Sequence, residues 1–542
     1  SWDTSSYVYC IKFALSRLFF FLFHATYSLI CSFKRRTFIS TSDNPVLNWS
    51  GIDTARRIRN REVTAAEVLE TYIARIEEVN SRIVAIVAKR YDVAREEARK
   101  VDERIEQING EVALLDKLAE EKPLYGVPIT IKEHIMVKGL PITAGIVARK
   151  DVIGDHDANL VSRLRAIGCI VVGVTNIPET LMFWECDNHL YGTTRNPHDL
   201  RRTTGGSSGG EAAAIASQLS CCGLGSDAGG SIRIPSAWTG IFGIKPTPKI
   251  INISFPDVHP NIENYPGGQG REIVLTMGPM AKYVEDLRVM YKALVDPANL
   301  HRLDLDKPIH VKNLKVFYNN GCKGPEMQNL TDEMRFAMNK ALNHLEKSFD
   351  LRPVKVQFND WHNLHEYMAT RLDFGTAPTV WSVMQGPEGS CPNPPPFNLL
   401  SEVTRIALGK SDHTVNALMF CQIEQDRIEK RNETIMEKNR YLANRLSKEV
   451  QCLLGEDGVL VTPAFPTTAP FIKETTVNTD IMYTVHANVL GLPAISIPMG
   501  YAGKDKLPVA VQITAAPYCE RNLFAIAEEL EKAFGGWVKV QS

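Results

Sequence analysis

The chain has almost no surplus of charge: 61 lysines and arginines stand against 62 aspartates and glutamates over 542 residues, a formal balance of −1. Without an excess of either sign there is no long-range field to gather phosphate backbones, so nucleic acid is not an expected partner. Paired-cysteine motifs are also missing. The 11 cysteines are an odd number, no two fall at CxxC spacing and none joins histidines in a zinc pattern, so they read as free thiols and small core residues. A phosphate-cradling GxxxxGK[ST] loop is absent, and no His/Asp/Glu cluster has ligand spacing. Neither a metal nor a cofactor is therefore expected. None of the 13 histidines stands in a recognisable triad context, which argues against serine chemistry of the Ser-His-Asp kind.

What is present is the composition of a folded globular protein, 44% hydrophobic and 23% charged, in a chain long enough to bury a large core. Residues 13–33, FALSRLFFFLFHATYSLICSF, form an apolar run closed by Lys34, Arg35 and Arg36. As a helix such a run reaches about 31 Å, enough to cross a hydrocarbon core of about 30 Å. Residues 1–36 are therefore expected to be a hydrophobic membrane anchor or a targeting segment, and the protein to be membrane-associated, with a single-pass N-terminal anchor as the preferred form.

From residue 50 to 542 the pattern reads as one catalytic domain. Between 52 and 119, Ala65, Ala66, Val68, Leu69, Tyr72, Ile73 and Ile76 recur at helical spacing, which predicts two or three amphipathic helices. From Leu124 the texture changes to short β-branched runs between glycines and prolines, as in GVPITIKEHI and CIVVGVTN, which predict buried strands. ANLVSRLRAIGC, at 158–169, reads as a helix ending on glycine before such a strand. The alternation predicts an α/β fold with a mixed, mostly parallel twisted sheet covered by helices on both faces.

The segment most informative about chemistry is RRTTGGSSGGEAAAIASQLSCCGLGSDAGGSIRIPS, at 201–236. Two glycine and serine turns bracket a helix of small residues. In the first turn, glycines permit close backbone approach beside Ser207, and the helix that follows leaves N–H groups free at its start. In the second, consecutive N–H groups precede Ser231, which suits a nucleophile with its own oxyanion hole. Taken alone, both turns could equally be surface linkers. A serine also needs a base. GVPITIKEHI places a single lysine, Lys132, at the end of an apolar strand, where desolvation could bring its pKa toward neutrality; the alternative is a strand-end lysine reaching for water.

Together, and in this order, GVPITIK, GGSSGG and DAGGSIRIPS resemble the amidase signature family. The resemblance continues through FGIKPT at 242–247, TMGPMAKYVEDL at 276–287, and GLPAISIPMG with LPVAVQI within 491–513, so it spans nearly the whole chain from about residue 50. It implies an amide hydrolase with Lys132 as base, Ser207 as a relay serine held by a cis peptide, and Ser231 as the acylated nucleophile. Backbone N–H groups of Ala228, Gly229, Gly230 and Ser231 would form the oxyanion hole, and Asp227 with Arg233 would brace the two serine turns. The chain departs from many relatives at Glu133, where they have Asp, and at Pro248 and Lys249, where they have Gly and Arg.

Within the family, the hydrophobic N-terminus and TNIPETLMFWECDN at 175–188 resemble the members that cleave fatty acid amides. That likeness implies a long-chain, lipid-like amide as substrate, with Leu181, Met182, Phe183 and Trp184 lining its acyl channel or packing in the core. It also implies membrane contact through residues 397–420 as well as the N-terminus, and it allows a homodimer. Two readings stay open beside it: an amidase or amidotransferase subunit acting on a small polar amide, and a catalytically silent relative.

Overall fold

The helical spacing between residues 52 and 119 becomes four helices, Gly51–Arg59, Ala65–Ile83, Tyr91–Ile108 and Val112–Glu121. The second starts on a reciprocal cap, in which Glu67 N–H donates to Thr64 Oγ1 and Thr64 N–H donates to the Glu67 carboxylate. This satisfies two donors that a helix start would otherwise leave unpaired. Its face of Ala65, Val68, Leu69, Tyr72, Ile73 and Ile76 is buried. These elements are taken from a computed structural model that describes residues 26–254 apart from 28 and 32, and then 271–321, 328–373, 378–387, 395–477 and 480–540.

In chain order the strands are β1 (Ile86–Lys89), β2 (Pro128–Lys132), β3 (Ile170–Thr175), β4 (Asp187–Asn188), β5 (Gly192–Thr193), β6 (Arg195–Asn196), β7 (Asp199–Thr203), β8 (Cys222–Asp227), β9 (Phe242–Lys245), β10 (Thr276–Ala281), β11 (Lys315–Tyr318), β12 (Val354–Lys355), β13 (Gly458–Pro463), β14 (Ala494–Ala502) and β15 (Leu507–Ala515). β4 with β5 and β6 with β7 make short ribbons; the others form one 11-stranded sheet in the order β1-β3-β2-β8-β10-β9-β14-β15-β13-β11-β12. β1 was not expected. Four residues are too few to show a period, and this strand is defined by antiparallel pairing with β3.

The sheet is mixed, but it is not mostly parallel. Among the described residues parallel pairing is confined to β3-β2-β8 and β13-β11-β12; from β8 across to β13 the neighbours pair antiparallel along the middle of the sheet. For β14 and β15 the reason is connection length: a tight turn between Ala502 and Leu507 joins them, and a short link allows only an antiparallel neighbour, whereas a parallel one needs a crossover; the other antiparallel pairs bring together strands far apart in the chain, whose direction no local pattern sets. Every position of β2, β3, β8, β10 and β13 is buried, the signature of a sheet with neither face left to water. Helices Gly209–Ala216, Arg233–Thr239, Asp332–Phe349 and Glu520–Phe534 flank it. The whole is one large domain.

Beside the main core lies a smaller apolar cluster of Ala144, Ile146, Met384, Ala417, Leu418 and Cys421. It joins the loop after β2 to a helical cap made of Val380–Met384, Leu399–Ala407 and Val415–Glu429. The stretch 397–420 belongs to this cap. Most of the apolar run at 13–33, and with it the expected N-terminal helix, lies outside the described residues. Where it is described, Tyr27 Oη donates to the Ile472 carbonyl at 2.8 Å, while Leu29, Ile30 and Phe33 are exposed. Among the described residues no helix is long and apolar enough to cross a membrane.

Candidate active site

Because β2 and β8 are parallel, their carboxyl ends open on the same edge of the sheet, the place where such sheets present their functional residues. Lys132 ends β2 and Ser226 with Asp227 end β8. Lys132 has no exposed surface, so it does not reach for water. Its Nζ donates to Ser207 Oγ at 2.7 Å and to Ser226 Oγ at 2.8 Å. Desolvation brings its pKa down to about 7, against weaker upward pulls from Cys186, Asp227 and Glu211.

Ser207 is buried, and the Gly206–Ser207 peptide is cis. A Cβ at position 206 would lie 2.9 Å from the Phe183 carbonyl oxygen and 3.1 Å from Glu185 N, so only glycine lets this turn close against the segment 183–185. Cys186 clasps the turn from the same side: its Sγ lies 3.4 Å from the Ser207 carbonyl oxygen and accepts from Gly209 N–H at 3.2 Å. Ser208 links the two serine turns. Its N–H donates to the Ser231 carbonyl at 3.1 Å, and its Oγ donates to the Ser226 carbonyl at 3.2 Å.

The second turn is set by the Asp227 carboxylate, which accepts from Gly230 N–H at 2.8 Å and Ile232 N–H at 3.1 Å. Arg233 completes a two-pronged pair with it, Nε to Oδ2 at 3.0 Å and Nη2 to Oδ1 at 2.8 Å. Both residues are fully buried. Burial alone would raise the Asp227 pKa, but the Arg233 charge and hydrogen bonds hold it well below the usual carboxylate range. Arg233 also donates to the Thr484 carbonyl, Asn488 and Gln512. Asp227 and Arg233 thus fasten the second turn to helix Met482–Val489 and to β15; the tie to the first turn is made by Ser208. Gly230 has φ 125°, and a Cβ there would meet Thr484 Oγ1 at 2.2 Å, so this position demands glycine. Ala228, Gly229 and Ser231 are half-buried.

Glu211, in the helix after the first turn, sits beneath Lys132. Thr130 Oγ1 and Thr175 Oγ1 both donate to its carboxylate, the latter at 2.8 Å. Desolvation raises its pKa to about 8, with the two threonine bonds and Lys132 pulling the other way. Leu181, Met182, Phe183 and Trp184 are half-buried. The Phe183 and Trp184 rings stack at 4.3 Å, and Trp184 packs on the cluster of Ile234, Trp238, Phe465 and Ala469.

The profile of the family described as Amidase matches residues 67–524. The chain belongs to the amidase signature family. It is accordingly an amide-hydrolysing enzyme. Among curated proteins this amidase is similar to human fatty-acid amide hydrolase 2, 34% identical over 504 residues covering 91% of the chain and 90% of the relative. It is similar also to zebrafish (Danio rerio) fatty-acid amide hydrolase 2-A, 36% identical over 515 residues covering 91% and 90%. Among solved structures, fatty acid amide hydrolase superposes with a TM-score of 0.69 at 20% identity, covering 92% of this chain and 86% of that one. 6-Aminohexanoate cyclic dimer hydrolase, complexed with substrate, does so with 0.69 at 22%, covering 90% and 97%. Both show the amidase fold.

The fold brings Lys132, Ser207 and the turn of Ser231 to one sheet edge, with the 181–184 segment beside them. Sequence reading missed Ser226, Cys186 and Glu211 as neighbours of that lysine and Ser208 as the link between the two turns, although all four lie inside the quoted segments. It also missed Thr484, Asn488 and Gln512, which come from more than 250 residues away in the chain and carry no local signal. Among the described residues no group of histidine, cysteine and acidic side chains could hold a metal ion.

Proposed function

We propose that this amidase hydrolyses long-chain fatty acid amides to a fatty acid and an amine through an acyl-enzyme on Ser231. The observation that carries the reading is the bond between the fully buried Lys132 Nζ and Ser207 Oγ at 2.7 Å. A lysine brought to a pKa of about 7 has a substantial neutral fraction at physiological pH and can take a proton. In the neutral form the same contact runs the other way: Ser207 O–H donates to Nζ. Ser207 then receives the Ser231 proton as Ser231 Oγ attacks the amide carbon, and the returning proton leaves with the amine. Water hydrolyses the ester that remains, over the same relay.

The negative oxygen of the tetrahedral intermediate is taken up by N–H groups of the second turn. The Gly230 N–H is engaged by Asp227, so the proposal rests on Ala228, Gly229 and Ser231. Two features support a lipid-like acyl chain: the half-buried apolar segment Leu181–Trp184 against Ser207's turn, and the curated relatives named for fatty-acid amides. Membrane docking through the cap is part of the same reading. Leu400, Val403, Leu408, Val415 and Ile423 are exposed near Arg405 and Lys410, an arrangement suited to an anionic bilayer surface. The N-terminal segment would add to it.

The test is to label the protein with a fluorophosphonate probe and to assay oleamide and anandamide against glutamine, in wild type and Ser231→Ala. Labelling lost in the variant, with lipid amides cleaved by wild type, is the expected result. Cleavage of polar amides alone would discard the substrate and keep the nucleophile; no labelling of folded wild type would overturn both.

A further inference from the structure

The turn that carries Leu181–Trp184 is tied to the helical cap by a buried acid. Glu179 is 2% exposed and His413 8%. Glu179 Oε1 lies 2.8 Å from His413 Nδ1, and its Oε2 accepts from Thr414 N–H at 2.7 Å. Thr414 is the cap residue of helix Val415–Glu429 and accepts from Ala417 N–H, so the carboxylate grips the very start of that helix. On the cap side His413 is held by the Trp381 ring at 5.5 Å and by Ser411, whose hydroxyl also donates to Glu402.

On the other side of Glu179 the chain makes a turn that its residue types resist. Thr180 and Leu181 both adopt positive φ, 65° and 67°, and for a β-branched residue that is an outlier which persists only where its surroundings impose it. The imposing contacts are visible. Thr180 N–H donates to the Ala144 carbonyl at 2.9 Å, and Ala144 N–H donates to Glu133 Oε2 at 3.1 Å. Glu133 follows Lys132 directly. A continuous set of bonds therefore runs from the lysine's neighbour, through residues 143–144, to the strained turn and on to the cap, where Ala144 and Ile146 pack against Ala417, Leu418 and Cys421.

Resting on the substrate reading above, we propose that the Glu179–His413 pair is a specificity-determining junction. It fixes the turn at 180–181 against the cap, and so sets how far the Phe183 and Trp184 wall stands from the cap and which acyl lengths fit between them. The pair touches no reacting atom. It acts through the placement of Leu181–Trp184, so its loss alters discrimination between long and short acyl chains more than it alters the chemical step.

The experiment measures kcat/KM for oleamide and for butyramide in wild type, Glu179→Gln, His413→Leu and His413→Asn. The quantity read is the ratio of the two constants within one preparation, which does not depend on the fraction of folded enzyme. Glu179→Gln and His413→Leu are expected to lower the oleamide-to-butyramide ratio about tenfold, the scale on which apolar pockets discriminate chain length, chiefly through KM for oleamide. His413→Asn, which keeps a donor near the Nδ1 position, is expected to restore most of the ratio. A ratio that stays at the wild-type value in Glu179→Gln and His413→Leu, or an Asn variant no better than Leu, overturns the proposal and leaves the pair as a strut. If wild type itself turns over butyramide and not oleamide, the substrate reading falls and takes the junction's role with it, an outcome already visible before any variant is made.

Discussion

Lys132 Nζ lies 2.7 Å from Ser207 Oγ with no exposed surface on either side of the contact worth the name: the lysine is 0% exposed and the serine 2%. A charged ammonium in that position lacks most of its hydration, and two hydroxyls, from Ser207 and Ser226, are what it receives in exchange. The balance favours the neutral amine more than in water, which is the condition for a base.

The pH profile should report that base. Below a pKa of about 7 Lys132 is protonated and cannot take the Ser207 proton; above it the amine is free. kcat/KM is expected to rise with pH through about 7 and then level. Lys132→Arg, which stays protonated throughout, is expected to lose roughly 10²- to 10⁴-fold in kcat at pH 8 and to show a lower Tm, because a permanent charge is then held where burial disfavours one. An acid limb left in place near 7 in that variant would assign the titration to another group.

Ser226→Ala removes one of the two hydroxyls on Lys132 Nζ and leaves the contact with Ser207. A loss of about tenfold in kcat/KM is expected from one hydrogen bond of this kind, with the acid limb displaced. Unchanged kinetics would show that Ser226 only fills space.

Asp227→Ala strands the Arg233 guanidinium in full burial and releases the Gly230 and Ile232 N–H groups. Breaking one partner of a buried pair costs about 3–5 kcal/mol, so a clear drop in urea midpoint is expected, together with lost activity. A stable variant with only activity lost would give Asp227 a role in the chemistry that its contacts do not suggest.

Glu211 makes stability depend on pH. Its pKa is raised from 4.5 to about 8, so from about pH 4.5 upward the unfolded chain gives up a proton that the folded one keeps, and folding weakens until pH 8. Glu211→Gln removes that contribution. Its Tm is expected to fall less than that of wild type between pH 5 and 8, and parallel curves would refute the assignment.

Membrane docking by the cap is checked with vesicles. Leu400→Asp with Val403→Asp places two charges on the exposed face of helix Leu399–Ala407. Co-sedimentation with anionic vesicles is expected to fall several-fold while butyramide hydrolysis in solution persists. Equal sedimentation would move the contact to the N-terminal segment or discard it.

Much of this was readable in the chain, because its signals are local. The runs around Lys132 and at 170–175 declare buried strands, and the two glycine turns declare serines on tight backbone, through residue types that act within a few positions. Strand direction was not local. The mostly parallel sheet expected from alternating helices and strands gave way to antiparallel pairing in the middle, where, apart from the β14-β15 hairpin, strands far apart in the chain pair with one another. β1 escaped notice for the same reason.

By itself the sequence singled out the candidate side chains for the chemistry, the turns that present them and the family the chain resembles, since each of these is written in contiguous residues. Only the tertiary structure decided that Ser226 shares Lys132 with Ser207, that Asn488 and Gln512 steady Arg233, and that a glutamate at 179 meets a histidine at 413. Those contacts join residues dozens to hundreds of positions apart, and they exist because burial leaves a polar group no partner but the one the fold places beside it.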